Sequence, residues 1–372
     1  MLDVTSILAK QGIRLPSLTS SASALEQVTD FGPNPGNLRM FRYVPERLPP
    51  RPALMVVLHG CTQTAAGYDT GAGWSALAER YGFVLLFPEQ QRANNPNGCF
   101  NWFQPADARR GLGEVASIRN MVDRCQRDQA LDHRRIYITG LSAGGAMTSA
   151  MLACYPDVFA GGAIIAGLPF GAASDVRQAF EMMSQSPSRS AEEWGHLVRQ
   201  ASPHTGPWPK VSVWHGESDT TVVPANAREL LKQWTNVHGV ADTSITNERV
   251  NGIARQSWKN AAGEDVIEFY AVPGMAHGTP LATGTDEIQI GVPGPYMLDA
   301  GISSSCHTAR FFQLADVEGL TAYPRKKQPS ALSSRKTMPL SLLDQAVAGV
   351  RKIDVGAVIT RALKAAGLTE PR

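Results

Sequence analysis

No stretch of this chain reaches 18 consecutive apolar residues, so nothing in it has the length to cross a bilayer as a helix. Excess charge is lacking too. Lys and Arg total 35 against 33 Asp and Glu, a net +2, and no basic run interleaves with aromatics, which removes the electrostatic case for nucleic acid. Cysteine is sparse and unpatterned. Cys61, Cys99, Cys125, Cys154 and Cys306 show no CxxC and no Cys/His ligand spacing, which disfavours zinc, and no metal or organic cofactor is expected. The opening residues carry Asp3 early and lack a basic start before a long apolar core. They do not read as a secretory signal, and a cytoplasmic location is the expectation.

What is present suits a large folded domain. With 372 residues, 43% hydrophobic, the chain can bury a full core. Extended segments at Leu38 to Val44, Ala53 to Leu58, Phe83 to Phe87 (stopped by Pro88), Ile136 to Thr139, Ala163 to Ala166 and Val211 to Trp214 lead to Ile267 to Val272, which is expected to close the sheet. Helical spacing at Trp74 to Tyr81, Glu114 to Gln129, Ala143 to Tyr155 and Ala225 to Val237 falls between them. This alternation predicts an α/β fold: a mostly parallel central sheet with helices on both faces. Residues 1–34 read as a leader and 35–323 as the main domain, in which about 170–209 is too long for a simple connection and predicts a small helical cap.

The segment IYITGLSAGGAMTSA, from Ile136 to Ala150, carries the chemistry. A GxSxG arises by chance in roughly one such chain in five. Here it stands between a β-branched run and a helix-spaced apolar stripe, the setting of a nucleophile elbow. A strand that turns into a helix through one residue holds that residue in strain above the carboxyl edge of the sheet, and Gly140 and Gly144 give the turn room. Ser142 is the candidate nucleophile.

A serine needs a base and an acid, which such a sheet supplies in the order Ser, Asp or Glu, His. In VSVWHGESDTTVVP, Asp219 and Glu217 both follow a strand; Asp219 is preferred because TTVVP re-anchors the loop behind it, while either acid has the plainer use of capping a turn. In FYAVPGMAHGTPL, His277 follows the last strand in a Gly-flanked loop, whereas His215 comes before the acid, in the wrong order. For the oxyanion, two backbone donors are required. The amide of Ala143 is one; the amide of Cys61 in LHGCTQT is the other, with Gly60 bending the backbone and His59 tying the loop down. Cys125 and Cys154 read as small core residues. Whether Cys61 and Cys99, which flank the site, are bridged stays open, since a cytosolic location argues against it.

LHGCTQTAAGYDTGAGWSALAERYGFVLLFPEQ, NGCFNWF, the elbow segment, VSVWHGESDTTVVP and GMAHGTPL together resemble the polyhydroxybutyrate depolymerase family of esterases, which includes feruloyl and acetylxylan esterases. The resemblance spans roughly residues 35 to 315. It implies an α/β-hydrolase fold, Ser142, Asp219 and His277 as a triad, and an oxyanion hole from the amides of Cys61 and Ala143. It also implies a substrate wall around Trp102 and Phe103, with the Leu168 to Phe170 loop beside it; ordinary core packing is the alternative for these aromatics. The expected substrate is a poly- or oligo(3-hydroxybutyrate) ester, with feruloyl, acetylxylan or small esters as alternatives. A catalytically silent granule-binding protein is the rival from another class.

Residues 324–339, PRKKQPSALSSRKTMP, read as a basic linker, and 340–372 as an amphipathic helical tail. From Pro324 onward ten basic residues meet three acidic ones, a surplus of +7 that leaves −5 for the rest of a chain whose net charge is +2. Such a tail is a candidate for docking on a polyester granule or lipid surface, with packing on its own domain or on a second subunit as the alternative.

Overall fold

The strand β3 (Leu54–Leu58) shows how the sequence builds the sheet. Leu54, Val56 and Leu58 enter one core and Met55 and Val57 the other, all of them buried. A strand apolar at every position must be covered on both faces. The computed structural model describes residues 25–240, 245–283 and 290–315, and among these it shows one large sheet with helices against each face.

The other strands are β1 (Glu26–Val28), β2 (Arg39–Tyr43), β4 (Val84–Glu89), β5 (Ile136–Leu141), β6 (Gly161–Ile165), β7 (Lys210–Gly216), β8 (Ile245–Val250), β9 (Ile253–Lys259) and β10 (Asp265–Val272). They lie in the order β1-β2-β4-β3-β5-β6-β7-β10-β9-β8. From β4 to β10 all neighbours are parallel, and β1, β2, β9 and β8 add antiparallel flanks. The short β11 (Thr279–Leu281) and β12 (Met297–Asp299) pair separately. The helices α3 (Gly113–Asp128), α4 (Ala143–Cys154), α5 (Val176–Ser184), α6 (Ala191–Gln200) and α7 (Ala225–His238) supply one core; α1 (Ala65–Ala72), α2 (Trp74–Tyr81) and α8 (Ser304–Phe311) supply the other.

This order fixes where the chemistry can sit. From β3 the chain steps to β4 on one side and then places β5 on the other, so the strand order reverses between β3 and β5. Ligands of open α/β sheets bind outside the carboxyl ends at such a reversal. The loop after β3 and the residue after β5 therefore share one rim.

Three expectations from the sequence are corrected. The sheet does not close at Ile267 to Val272: a hairpin of β8 and β9 extends it, turning at Asn251 and Gly252, both at positive φ. Pro88 does not stop β4, because the last residue paired with β3 is Leu86; beyond it only β2 borders the strand. Residues 25–34 are not a leader, since Glu26–Val28 pairs with β2 and Phe31 is buried. The 170–209 segment forms α5 and α6 and clamps onto α7. Gln233 Nε2 donates to Phe170 O and Trp194 O, and Trp194 Nε1 donates to Glu229 Oε2 at 2.7 Å. The linker and tail lie outside the described residues.

Candidate active site

Ser142 joins β5 to α4 without an intervening residue, at φ 58° and ψ −117°. A non-glycine residue pays of order 1–3 kcal/mol for such a conformation. Its N–H donates to Ile165 O at 2.9 Å, and Ala166 N–H donates to Trp214 O at 2.8 Å, so the ends of β5, β6 and β7 are laced together. A Cβ on Gly140 would fall 2.3 Å from Gly144 O, and one on Gly144 would fall 2.5 Å from His59 O. The flanking glycines thus let the elbow close on itself and on the loop after β3. Gly144→Ala is expected to cost about 2 kcal/mol or more of stability and to lower kcat by about a hundredfold, through displacement of the 59–61 backbone. Thermal melts and steady-state kinetics check both.

Asp219, 3% exposed, sits in the loop after β7. Its Oδ1 accepts Thr221 N–H at 2.8 Å and Val222 N–H at 2.9 Å, and its Oδ2 accepts His277 Nδ1–H at 2.7 Å. Burial raises its pKa, but hydrogen bonds from His215 and His277 outweigh that and hold the carboxyl well below the usual carboxylate range. Glu217, its competitor, is exposed. The two loops are stitched together, with Glu217 N–H donating to Val272 O and Ser218 N–H to Met275 O, both at 3.0 Å. Ser142, 8% exposed, makes no hydroxyl hydrogen bond among the described residues. Two further side chains stand beside this pair. The Tyr296 ring stands edge-on to His277 at 6.1 Å between centroids, and His215 Nε2 lies 3.4 Å from Asp219 Oδ2.

The amides of Cys61 and Ala143 have no acceptor among the described residues. In the loop after β3 the left-handed residue is Thr62 (φ 66°), whose N–H reaches Asn97 O at 2.8 Å. Gly60 N–H is held by Gln63 Oε1. His59 is buried and tied at both nitrogens, donating from Nδ1 to Gly60 O and accepting Gln90 N–H at Nε2. Burial pulls its pKa down, which keeps it neutral. Cys61 and Cys99 form a disulfide, their Cα atoms 4.2 Å apart.

Trp102 is buried in the core, with Phe103 packed edge-on against it and less covered. Leu168 is 1% exposed and belongs to the core, so of the loop expected to line a slot only Phe170 is partly open. Behind this wall, Glu114 accepts Asn101 N–H at 2.9 Å and Gln90 Nε2 at 2.5 Å, joining the wall to the 59–61 loop. Burial, helped by the charge of Asp107, pushes the Glu114 pKa up to about 8. A carboxyl raised on folding favours the fold most at low pH, and that contribution fades as pH climbs from the ordinary Glu value through about 8. The thermal midpoint is expected to fall over this range, with a slope of up to about 1.4 kcal/mol per pH unit that Glu114→Gln removes.

Compared with known proteins, residues 42–259 match the family model described as esterase PHB depolymerase. The chain belongs to that family. Within it, poly(3-hydroxyalkanoate) depolymerase C of Paucimonas lemoignei is 47% identical over 308 residues, covering 82% of this chain and 74% of the relative. Feruloyl esterase B of Neurospora crassa is 34% identical, covering 72% of this chain and 93% of the relative, and an acetylxylan esterase of Coprinopsis cinerea is 34% identical, covering 73% and 74%. Among solved structures, the acetyl xylan esterase from Aspergillus awamori superposes with a TM-score of 0.66 at 26% identity, covering 78% of this chain and 99% of that one. This member of the esterase PHB depolymerase family has the α/β-hydrolase fold and is a carboxylic-ester hydrolase. The family match ends before His277, so the candidate base rests on geometry.

Proposed function

We propose that Ser142, Asp219 and His277 hydrolyse an ester through an acyl-enzyme. The observation that carries this reading is the 2.7 Å bond from His277 Nδ1 to Asp219 Oδ2, on the rim where Ser142 stands in its strained turn. With its proton on Nδ1 committed to the carboxylate, His277 presents the Nε2 lone pair. Nε2 takes the Ser142 proton as Oγ attacks the carbonyl carbon, and the amides of Cys61 and Ala143 receive the charge on the carbonyl oxygen. Collapse expels the alcohol, which takes the proton from Nε2, and water then repeats the sequence to release the acid. The hydrogen bond from Ser142 Oγ to His277 Nε2 forms when substrate binds, since catalytic hydrogen bonds commonly tighten only in the substrate complex.

The substrate we infer is a poly- or oligo(3-hydroxyalkanoate) ester. Identity of 47% to a depolymerase against 34% to the feruloyl and acetylxylan esterases supports that choice. Phe103 and Phe170, the open members of the aromatic wall, offer a small branched acyl chain an apolar surface. Turnover of 3-hydroxybutyrate oligomers, methyl ferulate and acetylated xylan, compared by kcat/KM, tests this; the oligomers are expected to lead, and a lead by either of the others contradicts it.

The Cys61–Cys99 disulfide favours an oxidising compartment over the cytoplasm expected from the first residues. Fractionation of cells for the native chain tests that reading. No helix among the described residues is long and apolar enough to cross a membrane. The basic 340–372 segment remains a proposed granule anchor, and removal of residues 324–372 is expected to lower partitioning onto polyester granules while leaving soluble-ester turnover intact.

A further inference from the structure

His215 belongs to β7 itself, four residues ahead of Asp219, and is 2% exposed. Its Nε2 lies 2.8 Å from Val222 O and 3.4 Å from Asp219 Oδ2. A carbonyl only accepts, so Nε2 carries a proton, which it gives to Val222 O with Asp219 Oδ2 close beside it. Nδ1 is buried without a partner among the described residues. Val222 in turn gives its own N–H to Asp219 Oδ1 at 2.9 Å, so the ring closes residues 215–222 into a loop around the carboxylate. Asp219 Oδ2 therefore meets two imidazoles, one half-buried at His277 and one buried at His215. On β10, the register partner of His215 is Ala271, which carries no charge; the ionisable group on its ring is Asp219 and, across Oδ2, His277.

We propose that His215 is a positioning residue for ester hydrolysis: it anchors Val222, aims the Asp219 carboxylate at His277, and takes up part of the acceptor strength of Oδ2. The proposal rests on the triad reading above. In each half of the reaction His277 becomes an imidazolium, stabilised by Oδ2 in proportion to that oxygen's free acceptor strength. An oxygen shared with a second donor holds the imidazolium less strongly. His277 then releases its proton to the departing alcohol more readily. Loss of His215 must therefore do two things together: slow turnover by loosening the carboxylate, and make His277 more basic.

The test compares His215→Phe, which keeps a ring and loses the donor, with His215→Gln, which keeps a donor for Val222 O. Hydrolysis of p-nitrophenyl butyrate by the full chain is followed from about pH 5 to 9. His215→Phe is expected to lose about tenfold in kcat with little change in KM, and to move the acid limb of kcat/KM up by about half a pH unit. His215→Gln is expected to recover most of kcat with a smaller upward shift of the limb. Equal losses in both variants, or a limb that stays in place or moves down, overturn the proposal. If His215→Phe does not fold, the limb of His215→Gln decides alone, and an unmoved limb overturns it. Asp219→Ala and His277→Ala are assayed alongside. Inactivity in both leaves the triad reading standing whatever His215 shows, whereas full activity in either removes the triad itself.

Discussion

Replacing Ser142 by alanine lowers kcat for any ester by about five orders of magnitude, because a nucleophile acting as a unit with its base leaves almost nothing behind when removed. The fold survives. Ser142 N–H keeps its bond to Ile165 O, and the surrounding contacts involve backbone rather than the hydroxyl. Ser142→Gly goes further, since at φ 58° glycine escapes the strain. It should raise stability by about 1 kcal/mol while being equally inactive. Opposite effects on activity and stability, read from kinetics and thermal melts of the same preparation, mark a residue whose conformation serves chemistry.

The second large effect separates two carboxylates that lie two residues apart. Asp219→Ala is expected to cost about 10⁴ in kcat, as loss of the acid leaves His277 without the partner that fixes its tautomer. Asp219 holds four contacts: two backbone amides on Oδ1 and two histidines on Oδ2. Glu217→Ala should stay within about threefold of wild type, since its side chain is exposed. A larger loss at Glu217 than at Asp219 reverses the assignment of the acid.

These sites were legible in the sequence because their constraints are local. A serine between two glycines at a strand-to-helix junction has few other uses, and the space reserved at Gly140 and Gly144 explains both flanks. The chain order of acid and base follows from which strands end on the rim. Other features depend on distant neighbours. The helix α1, AAGYDTGA, has weak propensity and forms because Thr64 caps it and Gly71 lets it pack on Met297, more than 200 residues away. The Cys61–Cys99 pairing follows from the bond between Thr62 and Asn97, which nothing in the spacing announces. Chain order excludes His215 as the base, yet its position in the strand aims it at the loop it precedes. The hairpin of β8 and β9 was readable: Val250-Asn251-Gly252-Ile253 is a strong two-residue turn signal between extended runs.

One observation joins the fold to the chemistry: a reversal in strand order puts the 59–61 loop, the Ser142 turn and the Asp219 and His277 loops on one edge of the sheet. The most direct test is to treat the full chain with a fluorophosphonate and map the adduct by peptide mass spectrometry. The account predicts a single adduct on Ser142, formed at least about a hundredfold more slowly in His277→Ala. An adduct on any other serine, or labelling of Ser142 at an undiminished rate without His277, contradicts it.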